Sequence, residues 1–139
     1  MNIDSIKNGI VIDHISAGKG MKLYRLLGLS DLDASVAIIK NAQSSKLCKK
    51  DIIKIDADIN VNLDVIGYVD PGATVNIIKD GRRIEKFTVE APERLKNVIR
   101  CKNPRCITST EQELDQIFRL TDRDKKTYRC AYCDAKFEG

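Results

Sequence analysis

Short β-branched apolar runs alternate with polar turns over the first two thirds of the chain, and their spacing predicts an orderly series of elements. Residues 9 to 15, GIVIDHI, read as a buried strand set between Gly9 and the SAGKG turn. GKGMKLYRLLGL follows, with Met21, Tyr24 and Leu26 or Leu27 at helical spacing and Gly28 where a helix C-terminus favours positive φ. Residues 35 to 42 and 51 to 56 read as a second and a third strand joined as a hairpin across the polar QSSKLCKK. DINVNLDVIGYV is ambiguous, because Val61, Val65, Ile66 and Val69 fit a helical stripe while its β-branched content suits a strand. A short helix is the reading adopted. It stops before Asp70-Pro71-Gly72, after which ATVNIIK and RRIEKFTVE flank Asp80-Gly81, the strongest hairpin signal in the chain.

The order β-α-β-β-α-β-β predicts an α+β domain of the split β-α-β, ferredoxin-like kind: an antiparallel sheet with helices on one face and one added strand. Pro92 and the mixed charges after it mark a junction. The expected organisation is a first domain at 1–91, a linker at 92–97 and a small all-β domain at 98–139. A hydrophobic share of 42% supports a real core. No apolar run approaches the ~20 residues needed to span a bilayer, and MNIDSIKNGIVIDH lacks the basic-then-apolar signature of a secretory signal. The expected compartment is the cytoplasm, where thiols stay reduced and five cysteines point to metal before disulfides.

Cys101 and Cys106 stand in CKNPRC, and Cys130 and Cys133 in YRCAYCDAKF. Two close pairs separated by a long excursion suit one tetrahedral Zn2+ per chain, of the zinc-ribbon or rubredoxin-like type. Four protein ligands leave no open position, which makes the ion structural. A tail of this size buries little core by itself, and structural zinc can supply ~10 to 16 kcal/mol of apparent folding free energy. Two disulfides or a rubredoxin-like iron site are the alternatives; neither pair is followed by the glycine that electron-transfer knuckles usually carry. Cys48 lies outside the cluster and is assigned no role.

Charge narrows the partner. Residues 1–97 hold 15 basic and 13 acidic side chains and residues 98–139 hold 9 and 7, so neither part is strongly cationic. Arg119, Arg123, Lys125 and Lys126 interleave with Asp122 and Asp124, and an aromatic content of 5% leaves few stacking platforms. The zinc module therefore reads as protein-facing, with neither nucleic acid nor membrane as partner. His14 is the only histidine, and no nucleophile elbow accompanies it, so catalysis is not expected. On pattern alone His14 is a hydrogen-bonding residue at a strand end, and Lys54 and Lys86 belong to the solvated face of half-exposed strands.

In order along the chain, GIVIDHI with its Gly-Lys turn, KKDIIKID, PGATVNII, APERLKNVIRC, CKNPRC and YRCAYCDAKF closely resemble the regulatory chain of aspartate carbamoyltransferase. The resemblance covers nearly the whole length. It implies a non-catalytic subunit of pyrimidine biosynthesis whose first domain binds nucleoside triphosphates, with ATP activating and CTP or UTP inhibiting. It also implies a regulatory homodimer and a zinc domain docked on a separate catalytic chain. Carried over by motif, Asp13 and His14 lie beside ribose and phosphates, Val11 packs on the base, and Asp4 and Ile6 read the base edge. Lys54, Asn76 and Ile78 match strand positions of the site, and Lys86 matches the lysine that meets the triphosphate. Gly81 and Arg83 depart from the family pattern, which has an aromatic and an apolar residue there.

Overall fold

Ile10, Ile12 and Ile15 are 4%, 0% and 0% exposed, which makes residues 9–16 the strand around which the first sheet is assembled. The computed structural model describes residues 6–45 and 48–137. The chain divides into two units, Met1–Glu90 and Ala91–Gly139. The first holds β1 (Gly9–Ser16), α1 (Gly20–Leu26), a 3-10 turn (Leu29–Asp31), β2 (Ser35–Ser44), β3 (Cys48–Asp56), α2 (Leu63–Val69), β4 (Thr74–Lys79) and β5 (Arg82–Thr88). Its five strands lie in the order β2-β3-β1-β4-β5, every pair antiparallel.

Register is kept by bulges at residues with positive φ. Asp13 and His14 together lie opposite Ile52, because Ile12 pairs with Ile53 and Ile15 with Asp51. His14 takes φ 56, and the extra residue returns Ile15 to the buried face. A second bulge at Asn41, φ 58, lets the β2–β3 ladder run on through Ser44 and Cys48, beyond the strand ends that the polar QSSKLCKK suggests. Lys79 pairs with Arg82 across Asp80 (φ 53) and Gly81 (φ 75), a two-residue turn with both central residues left-handed.

The helices differ in detail from the periodicity. Met21, one of the apolar residues at helical spacing in α1, is 38% exposed, and it is Leu23, outside that set, that is buried. The cause is Asp51, a carboxylate with 0% exposure that accepts from the amides of Gly18, Gly20 and Asn41 at 3.1, 3.0 and 3.1 Å. This draws Gly20 inward, and Leu23 at i+3 follows it. For α2 the helical reading holds: Val65, Ile66 and Val69 are buried, and Asn62 caps the start by accepting from the Asp64 amide at 3.0 Å. Asp70 ends the helix and ties it to β1, its carboxylate accepting from the Ser16 amide at 2.6 Å.

The second unit holds β6 (Arg94–Lys96), α3 (Ile107–Thr110), β7 (Ile117–Asp122) and β8 (Thr127–Cys130), with sheet order β6-β7-β8. Two expectations change. Residues 94–96 fall within the stretch read as linker yet form β6, because Leu95 (0% exposed) lies opposite buried Phe118. The unit is also not purely β, since α3 supplies one helical turn after Cys106. No helix among the described residues is long and apolar enough to cross a membrane.

A Cβ on Gly9 would lie 2.0 Å from the Ile55 carbonyl oxygen, a backbone atom that cannot yield without breaking the β1–β3 ladder. Gly9→Ala is therefore expected to destabilise the first unit by about 1 to 3 kcal/mol, the usual range for overpacking, measured by denaturant unfolding.

Candidate metal centre and ligand face

The two halves of the cysteine cluster come from the segment between β6 and β7 and from the end of β8. Cys130 closes β8, and Cys133 follows in a tight turn in which the Asp134 amide donates to the Cys130 carbonyl at 2.8 Å, with Asp134 at φ 62. Cys106 precedes α3, its carbonyl accepting from the Ser109 amide at 3.0 Å, and its own amide donates to Asn103 at 3.0 Å. Ligand atoms of Cys101, Cys106, Cys130 and Cys133 all lie within 4.8 Å of one another. Cys101 and Cys133 sulfurs are 3.6 Å apart, and those of Cys106 and Cys130 are 3.7 Å apart. A tetrahedral ion with metal–sulfur bonds of ~2.3 Å has sulfur–sulfur edges of about 3.8 Å, so the cluster fits such an ion with little adjustment.

Electrostatics favour a cation in its middle. Burial, and then hydrogen bonding to the other three sulfurs, push the Cys101 thiol up to about 12. Burial also raises Cys130. Cys133 is raised by burial but brought down to about 7 by the Ala135 amide, the Asn103 side chain and its sulfur neighbours. Four adjacent thiols cannot all ionise against one another, and a divalent ion removes that repulsion.

Several supporting groups carried no motif. Thr108 (2% exposed) donates its hydroxyl to the Cys106 sulfur at 3.1 Å. Gln116 (7% exposed) accepts the Cys101 amide through Oε1 at 2.9 Å, and its backbone exchanges hydrogen bonds with Asn97. A hydroxyl two residues after a ligand cysteine was the only sequence signal available for Thr108. Gln116 had none, because its role depends on β7 running past Asn97.

In the first unit the register assembles most of the remaining candidates. Lys54 pairs with Val11, Val11 with Asn76, and Asn76 with Lys86, so four strands contribute to one cross-strand row. The row occupies the face opposite buried Ile10, Ile12, Ile53, Ile55 and Val75. Asn76 is anchored by donating its side-chain amide to the Val11 carbonyl at 3.2 Å. One step along β4, Ile78 pairs with Gly9 and Arg83. At the β1 bulge both Asp13 and His14 leave the core side: Asp13 meets Lys50 Nζ at 3.0 Å, and His14 Nδ1 lies 2.9 Å from Thr74 Oγ1. Lys50 and Thr74, which lie within KKDIIKID and PGATVNII but had no role assigned from the sequence, are site neighbours.

Ile6 is buried beside Gly9 and lies off the row. Asp4 lies outside the described residues. Gly81 serves the hairpin turn, donating its amide to the Lys7 carbonyl at 2.9 Å, and Arg83 is exposed on β5.

Comparison with known proteins gives a consistent result over the whole chain. The family model described as the aspartate carbamoyltransferase regulatory chain, allosteric domain, matches residues 1–90, and that of the regulatory chain's metal binding domain matches residues 93–139. A regulatory chain of Clostridium botulinum is 50% identical over 139 residues, covering 100% of this chain and 95% of the relative. That of Clostridium tetani is 50% identical over 135 residues (96% and 94%), and that of Bifidobacterium longum 42% over 134 residues (96% of each).

Two outcomes are expected from this geometry. Thr108→Val keeps shape but removes the hydroxyl on the Cys106 sulfur, and should lower metal affinity about 10- to 100-fold in a chelator competition assay. Burial raises the Asp13 carboxyl, but the Lys50 ammonium and the His14 amide outweigh it and hold the group below its ordinary value. Its contribution to stability is thus present above the unfolded pKa of ~3.9 and is lost as pH falls through the lower folded value. Lys50→Met should raise the Asp13 pKa, read by carboxyl NMR titration.

Proposed function

Because the chain belongs to the family of aspartate carbamoyltransferase regulatory chains, we propose that it is a nucleoside-triphosphate sensor that adjusts a separate catalytic chain and has no active site of its own. The single observation that carries this reading is the Lys54–Val11–Asn76–Lys86 row, with Asp13 and His14 at its edge. Lysines arriving from two different strands can donate charge-assisted hydrogen bonds to a polyanionic phosphate chain, Asp13 can accept from ribose hydroxyls, and Val11 and Ile78 offer apolar surface to a base. Asp4 and Ile6 are assigned to the base edge by motif. ATP, CTP and UTP would compete for this one face, ATP activating and the pyrimidines inhibiting.

The sheet of the first unit, with its strand order and two helical crossovers, is of the ferredoxin-like kind in this reading, and the second unit is a zinc ribbon. In this reading the first unit, Met1–Glu90, is the effector domain, and the second, Ala91–Gly139, is the docking module. Zn2+ is the ion best suited to four thiolates in a closed tetrahedron. Cys101, Cys106, Cys130 and Cys133 would hold one Zn2+, which would join α3, β8 and the loops around them into one rigid surface. On this reading the chain works in the cytoplasm, as a homodimer bound to catalytic chains. An effector can shift a two-state enzyme only through unequal affinity for its states, and a coupling of about 1 to 3 kcal/mol is typical.

The test is reconstitution with the catalytic chain and titration with ATP, CTP and UTP while the aspartate saturation curve is recorded. Displacement of that curve in opposite directions by ATP and by the pyrimidines is expected. Lys86→Ala should weaken triphosphate binding about tenfold or more, from loss of a charge-assisted hydrogen bond, without changing metal content. Unchanged affinity in that variant would remove Lys86 from the site.

A further inference from the structure

In chain order the cations from Arg119 to Lys136 are interleaved with acids, but the register of the second sheet sorts them and sets Arg94 beside them. Arg94 lies opposite Arg119, Arg119 opposite Arg129, and Arg129 bridges to Lys136. Four basic side chains thus share one cross-strand row. The adjacent row, Leu95, Phe118 and Cys130, is 0%, 1% and 0% exposed, so the basic row occupies the outward face, away from the metal. With strands about 4.8 Å apart the row extends over about 14 Å.

Like charges placed directly opposite each other disfavour strand pairing, and little inside the unit relieves them. Arg119 meets Asp134 at 3.1 Å, with both side chains more than half exposed (55% and 68%). Arg129 donates to the Asp134 carbonyl oxygen at 3.1 Å. Arg94 makes no ion pair among the described residues. Beside the row, Arg94, Arg119, Thr121 and Arg123 line an open bay with Glu93 as its only acid, and Arg123 donates to the Ala91 carbonyl at 2.9 Å.

We propose that this row is the docking site for a carboxylate-rich surface of the catalytic chain; the inference rests on the assignment of the protein as that chain's regulatory partner. Guanidinium groups repeated at strand spacing present separate forks to separate carboxylates, and the Arg119–Asp134 pair already shows that pairing within the unit. A single phosphate group calls for donors that converge around it, and this row is extended and open. Nucleic acid is disfavoured because Lys96, Ile117, Thr121, Asp122 and Thr127, which flank the row along β6, β7 and β8, offer no ring for a base to stack on.

The experiment uses the full-length, metal-loaded chain and purified catalytic chain, with association measured at several salt concentrations. Arg94 is the residue to change, since no ion pair among the described residues is lost with it. Arg94→Glu should weaken association roughly tenfold or more and flatten its salt dependence, while Arg94→Lys stays within about threefold of wild type. Both variants should keep one metal per chain and wild-type triphosphate binding, which separates a docking defect from misfolding. Wild-type affinity and salt dependence in Arg94→Glu would overturn the proposal. So would retention of the wild-type chain on single-stranded RNA or DNA that Arg94→Glu abolishes while catalytic-chain binding is unchanged. If the wild-type chain does not associate at all, the parent assignment fails; if it associates and Arg94→Glu does so equally, only the docking site fails.

Discussion

A strand that buries one face can direct only every second side chain inward, and both units are organised by that constraint. In the first, Ile10, Ile12, Ile53, Ile55 and Val75 fill the inward positions, which leaves Lys54, Val11, Asn76 and Lys86 aligned on the other face. In the second, Leu95, Phe118 and Cys130 go inward, and Arg94, Arg119 and Arg129 are aligned outward. Neither outward row is adjacent in sequence. Each arises as a by-product of where the apolar side chains had to go.

The exception to strict alternation is where the chemistry concentrates. At the β1 bulge two successive residues, Asp13 and His14, leave the buried face between Ile12 and Ile15. The left-handed backbone at His14 is strained for a residue with a side chain, and the Asp13 carboxylate accepting the His14 amide at 2.6 Å helps to hold it. Lys50 and Thr74 then fix the two side chains from neighbouring strands. The bulge thus delivers an acid and an imidazole to one rim of the sheet while leaving the core register intact.

The two units reach rigidity by different means. The first buries two carboxylates, Asp51 and Asp70, each provided with amide donors, and these pin the β1–α1 loop and the end of α2. Buried charge is tolerable there because donors surround it. The second has a small apolar core and relies on four sulfurs at tetrahedral spacing, supported by Thr108, Gln116 and Asn97. A chain acting through differential affinity needs both: a rigid face to recognise an effector and a rigid module to pass its effect to a partner.

The sequence by itself determined the element order of the first unit, the Asp80-Gly81 turn and the four clustered cysteines, because each depends on local patterning or on spacing along the chain. It did not single out Leu23 as the buried residue of α1 and read 94–96 as connector, since the draw of Asp51 on Gly20 and of Phe118 on Leu95 are long-range contacts that no periodicity encodes. Only the tertiary structure decided which charges become neighbours: cross-strand register joins residues as distant as Val11 and Asn76, or Arg94 and Arg119, and register is set by the burial of the opposite face. For the same physical reason the roles of Lys50, Thr74, Thr108 and Gln116 were not legible beforehand, each depending on a partner brought close only when the sheets close.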